Sequence, residues 1–325
     1  MYIAVMNPVF QTESLEEMCQ ILSERGVYSI EMGCGGSPGK HHCDPDVLLN
    51  DEAKYQEFLD TLKKYDMSIC ALSTHNNPVH PNKELADFAD KELTKAFQLA
   101  QKMGIDTIVT FSGCPGDSET SQKPNWVTCS WPDDYTEILN WQWNEVLIPY
   151  WKKKAAEAKS YGVTKIAFEM HPGFCVYNPY TLLKLREAVG PEIGANFDPS
   201  HLIWQGIDPV AAIRELGKHH AIYHFHAKDT KVDEYNKAVN GVLDTRHYSE
   251  DRSWRFRSVG CGHDLLFWRD IVAELRLAGY DKVMSIEHED GLMSKLEGLD
   301  TAINTLKQCV MKEPAQDMFW HNQYA

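Results

Sequence analysis

The 325-residue sequence lacks the features that mark membrane and secreted proteins. It contains no uninterrupted apolar run of about 18 residues, the length that would suggest a membrane span. Its first ten residues show no basic stretch followed by an apolar core and a small-residue cleavage site. These absences predict a cytoplasmic protein with no membrane partner.

Positive charge is also scarce, since 32 basic residues stand against 47 acidic ones and give a net charge of −15. Such a chain repels a phosphate backbone, so we expect no nucleic-acid partner. The nine cysteines form no C-x-x-C pair and no dense framework, which predicts reduced thiols.

What the sequence does contain is an alternation of short apolar runs with longer segments of helical periodicity. Glycines follow several of the helical segments, at positions 26, 104 and 190. The predicted helices include Leu15 to Arg25, Glu52 to Tyr65, Asp87 to Met103 and Thr181 to Ala188. The predicted strands are Tyr2 to Asn7, Val27 to Met32, Ser68 to Thr74, Thr107 to Phe111, Lys165 to His171, Ile193 to Asp198, Ala221 to Ala227 and Lys282 to His288.

Eight strand–helix units favour an α/β fold of the (β/α)8 TIM-barrel type, formed by residues 1–325 as a single domain. The alternative is a doubly wound open sheet, but the first strand is followed by Met6-Asn7-Pro8 instead of a glycine-rich turn. Extended loops follow strand four (Gly113 to Asp134) and strand seven (Thr230 to His263). Because such loops emerge at the face that carries active sites, we expect them to shape a pocket; a surface elaboration or subunit contact is the alternative.

Strands five to eight each end in a potential metal ligand: Glu169, Asp198, His226 and Glu287. Ionisable groups at the ends of apolar strands carry a desolvation cost that a bound cation would offset. Three carboxylates and one imidazole favour Mn²⁺, with Mg²⁺, Co²⁺ and Zn²⁺ as alternatives.

Several neighbours of these ligands are candidates for contact with a substrate. His224 shares the strand face of His226 and is expected in the layer beneath it, whereas His171 shares the face of Glu169 and is a candidate acid or base. His201 could contact a substrate hydroxyl or the metal. Lys228 could stabilise negative charge, although pairing with Asp229 is the simpler interpretation.

The strings Phe-Glu-Met-His-Pro-Gly-Phe, Asn-Phe-Asp-Pro-Ser-His-Leu-Ile-Trp-Gln-Gly-Ile-Asp-Pro, His-Phe-His-Ala-Lys-Asp-Thr and Ser-Ile-Glu-His-Glu-Asp resemble those of the sugar phosphate isomerase/epimerase family. That family belongs to the xylose-isomerase-like TIM barrels, and the resemblance covers most of the chain. It implies one Mn²⁺-type ion on the four strand-end ligands, which would grip the carbonyl and an adjacent hydroxyl of a keto-sugar. A base would then remove the proton on the adjacent carbon through enediolate chemistry.

In the ketose epimerases of this family, the residues corresponding to Glu169 and Glu287 bind the metal and also exchange protons. The sequence departs from them because Lys231 and Val232 stand where an arginine is expected after the metal histidine. It also resembles the catalytic subunit of bacterial C-glycoside deglycosidases, which are lyases that act on 3-keto-glycosides with a smaller partner subunit. In that branch His171 would be the base, and the tryptophan-bearing segment with Trp141, Trp143 and Trp151 could bind an aromatic aglycone.

Other classes remain as alternatives. The Asp198 to His201 spacing is similar to that of apurinic endonucleases of this fold, and His75 after strand three would match one of their zinc-binding histidines. The negative net charge disfavours that hydrolase. We otherwise assign His75 to substrate binding together with His201 and Lys228. A water-activating hydrolase or a non-catalytic module is the remaining alternative, and the predicted partners are a sugar or glycoside substrate and either a smaller subunit or a second copy of the chain.

Overall fold

Eight parallel strands close into a barrel in the computed structural model, which describes residues 1–246 and 250–316. The strands in chain order are β1 (Tyr2–Met6), β2 (Ser29–Gly36), β3 (Ser68–His75), β4 (Thr107–Thr110), β5 (Lys165–Glu169), β6 (Ile193–Phe197), β7 (Ile222–Ala227), β8 (Asp229–Val232), β9 (Trp254–Arg257) and β10 (Val283–Ile286). Strands β1 to β7 and β10 form the barrel, and β8 pairs with β9 in a separate antiparallel sheet.

The barrel strands follow one another in chain order, and β10 closes the ring between β7 and β1. Glu169 of β5 is in register with Asn196 of β6, and His226 of β7 is in register with Ser285 of β10. Since all eight strands are parallel, the residues at their carboxyl ends meet at one face of the barrel. The predicted TIM barrel is therefore confirmed, and the open-sheet alternative is wrong.

Helices connect the strands on the outside of the barrel, and none within the described residues is long and apolar enough to cross a membrane. A 3-10 turn (Asn7–Phe10) follows β1, and a π-helical stretch (Gln142–Leu147) joins the fifth and sixth helices. The helices are α1 (Leu15–Glu24), α2 (Pro45–Leu48), α3 (Glu52–Lys64), α4 (Lys83–Met103), α5 (Asp133–Trp141), α6 (Ile148–Ser160), α7 (Pro179–Val189), α8 (Pro199–Trp204), α9 (Pro209–Gly217), α10 (Glu234–Asn240), α11 (Leu265–Leu277) and α12 (Lys295–Lys307).

Two predicted elements have a boundary that is wrong by four residues: α4 begins at Lys83 and not at Asp87, and β2 ends at Gly36 and not at Met32. Asn82 caps this helix, because its side-chain oxygen accepts hydrogen bonds from the backbone amides of Glu84 and Leu85. The cap adds a first turn that is mostly exposed. At the other end of α4, Gly104 adopts the left-handed conformation (φ 72°) that was expected of a glycine at that position.

The two extended connections predicted after β4 and β7 are present. The connection after β4 runs through residues 111–132 without regular structure. The connection after β7 contains β8, α10 and β9, so it is a small folded insertion and not an irregular loop. Both leave the barrel at the carboxyl ends of their strands.

Candidate active site

The structure brings the four predicted metal ligands together at the carboxyl face of the barrel. Glu169 ends β5, Asp198 follows β6, His226 lies in β7 and Glu287 follows β10. One ligand atom from each lies within 4.8 Å of the others. Glu169, Asp198 and His226 are buried, and Glu287 is partly buried.

The donor atoms of this cluster fit a divalent cation. Nδ1 of His226 is 3.2 Å from Oε2 of Glu169 and 3.2 Å from Oε2 of Glu287. Nevertheless, Nδ1 of His226 has no hydrogen-bond partner among the described residues, and Oδ2 of Asp198 forms only ion-pair contacts there, with Lys228 at 3.2 Å and His201 at 3.4 Å. Buried polar atoms are seldom left in this state, and a cation coordinated by oxygen and imidazole nitrogen would satisfy both.

The carboxylates of the cluster repel one another. Burial raises the pKa of Asp198, and although Lys228 and His201 lower it, the neighbouring Glu169 and Glu287 raise it further. Burial also acts to raise the pKa of Glu287, but the charge of Lys228 holds that pKa at about 2. Buried negative charge is therefore concentrated at this face, and a cation would stabilise it.

The remaining two ligands are ionised through mutual contact. Burial favours the neutral form of Glu169, yet its contacts with His201, His226 and His75 keep its pKa well below the ordinary value. Burial would lower the pKa of His226, but the surrounding carboxylates, chiefly Glu31, raise it well above the ordinary value. A metal ion would thus have to displace a proton from this imidazole.

Lys228 lies beside the cluster and corrects one sequence-based interpretation. Its Nζ is 2.8 Å from Glu287, 2.9 Å from Glu289 and 3.2 Å from Asp198. Burial alone would lower the pKa of Lys228, but these carboxylates raise it well above its ordinary value. The expected pairing with Asp229 is wrong.

Asp229 faces away from the cavity and organises the end of the insertion. Its carboxylate accepts hydrogen bonds from the backbone amides of Gly260, Gly262 and His263 and from the indole of Trp268. Only glycine fits at position 262, because a Cβ atom there would lie 2.5 Å from the Asp229 carboxylate. Asp229 therefore fixes the return of the chain from the insertion to the barrel.

Three histidines predicted to act on or near the substrate surround Glu169. Nε2 of His75 is 3.0 Å from Oε2 of Glu169, and Nε2 of His201 is 2.9 Å from Oε1. The ring of His171 lies 4.1 Å from that of His201, centroid to centroid. The structure thus places His75, His171 and His201 together, while their roles stay predictions.

His171 has the geometry of a base. Its Nδ1 is 2.6 Å from the carbonyl oxygen of Pro172, which can only accept a hydrogen bond. The proton of the neutral ring therefore sits on Nδ1, and Nε2 is left to accept a proton. Burial lowers the pKa of His171, despite the opposing charge of Glu169, and so favours this neutral form.

A cavity of about 370 Å³ opens above these residues. Its lining combines polar groups with the aromatic faces of Phe111 and Phe256. Phe111 stacks on Phe174 with 4.1 Å between ring centroids. The lining residues are Met6, Pro8, Val9, Gln11, Ser37, Pro38, His75, Phe111, Glu169, His171, His201, Lys228, Phe256, Glu287, His288 and Glu289.

The connection after β7 contributes Phe256 to this lining, and the connection after β4 contributes Phe111, its first residue. Residues 113–134, the extended loop predicted after strand four, are not among the lining residues. They support the neighbouring segment instead: the carbonyl of Gly113 accepts a hydrogen bond from the amide of Cys175, and Oγ of Ser112 accepts one from Val176. The connection after β4 thereby braces the segment that carries His171.

The tryptophans that follow this connection do not form an aromatic platform. Trp143 and Trp151 are buried in the core. The Trp151 indole donates a hydrogen bond to the carbonyl of Ser112 and packs against Phe168 of β5. The proposed aglycone contact with Trp143 and Trp151 is therefore wrong, because the register of the helix directs them inward, and the partly buried Trp141 does not line the cavity either.

Sequence reasoning missed Glu31 and Glu289. Glu31 lies in the apolar strand β2, is fully buried and contacts both His224 and His226. A carboxylate within an apolar strand was a usable signal, since buried charges need partners. Glu289 belongs to a run of acidic residues after β10, in which nothing distinguished it from a solvated carboxylate.

A closed parallel barrel with a carboxylate–imidazole cluster at its carboxyl face defines a TIM-barrel protein with a candidate metal centre. More specifically, the chain belongs to the xylose isomerase-like TIM barrel family, whose model matches residues 19–309. The relationship to sugar isomerases and epimerases inferred from the sequence motifs is thereby confirmed at the level of the family.

Known relatives extend over nearly the whole chain. The uncharacterised protein YfiH of Bacillus subtilis (strain 168) is 40% identical over 317 residues, which cover 94% of this chain and 99% of YfiH. Among solved structures, the probable 3-DHS dehydratase AsbF of Bacillus anthracis superposes with a TM-score of 0.65 at 18% identity, covering 94% of this chain and 99% of AsbF.

Two further solved structures share the fold. A D-tagatose 3-epimerase-like protein superposes with a TM-score of 0.62 at 20% identity and covers 94% of this chain and 97% of its own. A xylose isomerase-like TIM-barrel protein of Mycobacterium smegmatis, in complex with magnesium, superposes with a TM-score of 0.63 at 14% identity. The superposition covers 95% of this chain and 98% of the Mycobacterium protein. At these identities the likeness concerns the fold.

Proposed function

We propose that this protein is a divalent-metal-dependent enzyme that removes a proton from the carbon next to the carbonyl of a keto-sugar or keto-glycoside. The observation that carries the proposal is the juxtaposition of a ligand cluster with a neutral imidazole at one cavity. Glu169, Asp198, His226 and Glu287 supply the ligands, and His171 lies beside them. Mn²⁺ is the proposed ion, because oxygen-rich coordination with one imidazole suits it.

A bound divalent ion would act as a Lewis acid on the substrate carbonyl. The protein residues around it move the proton and stabilise the charge that develops on the substrate. Nε2 of His171 accepts the proton from the carbon, and the positive charge of Lys228 stabilises the negative charge that the C–H electrons leave on the substrate oxygen. Return of the proton to the other face of the same carbon gives an epimer, and its return to a neighbouring carbon gives an isomer. In this scheme Glu169 and Glu287 are the carboxylates that take part in the proton transfer.

A second outcome of the same proton removal is elimination, as in a lyase that cleaves a 3-keto-C-glycoside. Phe111 and Phe256 favour it, since two aromatic faces in a small cavity can pack against a flat aglycone. The C–H proton then goes to His171, the bond to the aglycone breaks, and a proton donor such as Lys228 protonates the leaving group. A probable 3-DHS dehydratase has the same fold, and its name likewise describes an elimination.

The apurinic endonuclease alternative gains no support from the charge of the cavity. Glu169, Glu287 and Glu289 line it, and the lysine among the described lining residues, Lys228, is paired with carboxylates. These carboxylates would repel a polyanionic strand at the opening of the cavity. The small volume also suits a single sugar or glycoside better than an extruded nucleotide backbone.

The test uses Mn²⁺-reconstituted protein in D₂O with a 3-keto-glucoside and a panel of free ketoses. Deuterium on the carbon beside the carbonyl and release of aglycone are followed in the same sample by mass spectrometry. Deuterium without aglycone identifies an isomerase or epimerase, and aglycone release identifies the lyase. EDTA-treated protein is the matched control, and activity that survives EDTA, or neither product from any substrate, would contradict the proposal.

A further inference from the structure

A carboxylate outside the ligand cluster contacts the candidate ligand His226, at the ring nitrogen that points away from the cluster. Glu31, from the opposite side of the barrel in β2, reaches Nε2 of His226 with its two oxygens at 3.0 and 2.9 Å. Nδ1 of the same ring faces Glu169 and Glu287. The imidazole is thus placed between a supporting carboxylate and the cluster, with one nitrogen directed to each.

Every described side chain that contacts the Glu31 carboxylate does so with a group that can donate a hydrogen. His224 contributes Nε2 at 2.8 Å, and Ser73 of β3 donates its hydroxyl hydrogen. Glu31 is fully buried, so no solvent competes for its oxygens. An ionised carboxylate only accepts hydrogen bonds, and therefore Nε2 of both histidines must carry the hydrogen.

This arrangement determines which nitrogen of His226 can bind a metal. With the hydrogen fixed on Nε2, only Nδ1 offers a lone pair, and Nδ1 is the atom that lacks a hydrogen-bond partner. A hydrogen bond from the remote ring nitrogen to a carboxylate also fixes the orientation of the ring and increases its strength as a ligand.

We propose that Glu31 is a positioning residue, which sets the tautomer and orientation of His226 so that its Nδ1 binds the catalytic cation. The inference rests on the metal centre of the proposed function and assigns the control of its affinity to a carboxylate that does not touch the metal. A second cation held by Glu31, His224 and His226 is the competing explanation for the same cluster. The direct contacts of 2.8 to 3.0 Å favour hydrogen bonds, because each already has a hydrogen to place between the two atoms.

The first experiment measures the affinity and stoichiometry of Mn²⁺ by calorimetry in wild type, Glu31→Gln and Glu92→Gln. The amide has the shape of the carboxylate but offers two hydrogens of its own, so it cannot accept from all three donors. We expect one ion per chain in the wild type and a 10- to 100-fold loss of affinity in Glu31→Gln, the usual effect of removing such a partner. Glu92 is a buried glutamate of α4 beside Lys95, and its substitution should leave the affinity unchanged.

Affinity within twofold of wild type in a folded Glu31→Gln variant would overturn the positioning role. Two ions per wild-type chain, one of them lost in Glu31→Gln, would replace it with the second metal site. If the wild type binds one ion that Asp198→Asn removes while Glu31→Gln retains it, the metal centre stands and the inference alone fails. If the wild type binds no divalent ion, both fail.

A second measurement needs no variant and therefore does not depend on Glu31→Gln folding. Long-range ¹H–¹⁵N spectra of histidine-labelled protein loaded with diamagnetic Zn²⁺ report which ring nitrogen carries the hydrogen. We expect His226 to retain its hydrogen on Nε2 and to bind Zn²⁺ through Nδ1. Coordination through Nε2 would overturn the proposal.

Discussion

The two ends of strand β6 each carry a carboxylate, and their surroundings are opposite. At the amino end, Glu192 pairs with Lys159 at 3.0 Å; burial would raise its pKa, but that lysine lowers it. At the carboxyl end, Asp198 lies among other carboxylates and its pKa is raised. At the amino end one lysine thus neutralises one carboxylate, whereas at the carboxyl end Lys228 is shared among Asp198, Glu287 and Glu289. Carboxylates gathered beyond what one lysine neutralises are a sign of function and not of stability.

The largest effect is expected from Asp198→Asn, at the carboxyl end of β6. Asparagine keeps the cap that Asp198 provides to α8, where Oδ1 accepts a hydrogen bond from the amide of Ser200. It removes one metal ligand, so we expect Mn²⁺ affinity to fall at least about 100-fold and turnover to be lost. Calorimetry and the D₂O assay measure the two effects; activity within tenfold of wild type would exclude Asp198 from the metal site.

The same variant should stabilise the metal-free protein. The raised pKa means that the ionised form of Asp198 costs stability at neutral pH, and the neutral amide relieves that cost. Thermal unfolding in EDTA should therefore occur at a higher temperature in Asp198→Asn than in wild type. A lower unfolding temperature would show that the contacts of Asp198 outweigh the repulsion.

The next largest effect is expected from a variant of His171, which tests proton transfer separately from metal binding. His171→Gln removes the proposed base, so kcat should fall by about 10² to 10⁴ while Mn²⁺ affinity stays near the wild-type value. The comparison of kcat with calorimetric affinity distinguishes this variant from Asp198→Asn, which should lose both. Unchanged kcat would transfer the role of base to another group, with Glu169 or Glu287 the next candidates.

A cation should also change the stability of the wild type. Binding only to the folded state, Mn²⁺ at a hundred times its dissociation constant stabilises by about 2.7 kcal/mol. Thermal unfolding with and without Mn²⁺ should show this increase in wild type and an increase of at most about 0.4 kcal/mol in Asp198→Asn. An equal increase in both proteins would indicate that the ion binds elsewhere.

The smallest effect is expected at the amino end. Glu192→Gln breaks a pair whose lysine is largely exposed, so the loss of stability should be about 0 to 1 kcal/mol. Metal affinity and turnover should not change, since Glu192 lies at the opposite end of the strand from Asp198. Urea denaturation combined with the D₂O assay tests both points, and any loss of metal affinity would mean that the two ends are coupled.

The barrel and the four clustered residues were predictable because they depend on local patterns. Apolar runs identify strands, and parallel strands bring the residues after their carboxyl ends to one face. The pairing of Lys228 was wrongly interpreted although alternation could have corrected it: Lys228 is two residues after His226 and points to the same side, whereas Asp229 points away. That residues 1–325 form one domain stays a prediction.

The role of Glu31 could not be read from the chain, since its contacts depend on packing across the barrel. It lies on β2 and meets residues of β7, and nothing in the spacing of about 190 residues indicates that contact. For the tryptophans, in contrast, the local sequence suggested a contact that the fold does not form. Their position beside a long loop suggested a ligand contact, but the register of the helix directs Trp143 and Trp151 to the core.

Phe256 belongs to the insertion after β7, whereas the four candidate ligands belong to the barrel strands and their ends. Part of the cavity wall and the ligand cluster are thus encoded by separate segments of the chain. Mutations in the insertion can reshape the space offered to a substrate without moving any donor atom of the cluster. Such a division allows a lineage to change the shape of the cavity through residues 230–258 while the residues of the cluster are inherited unchanged.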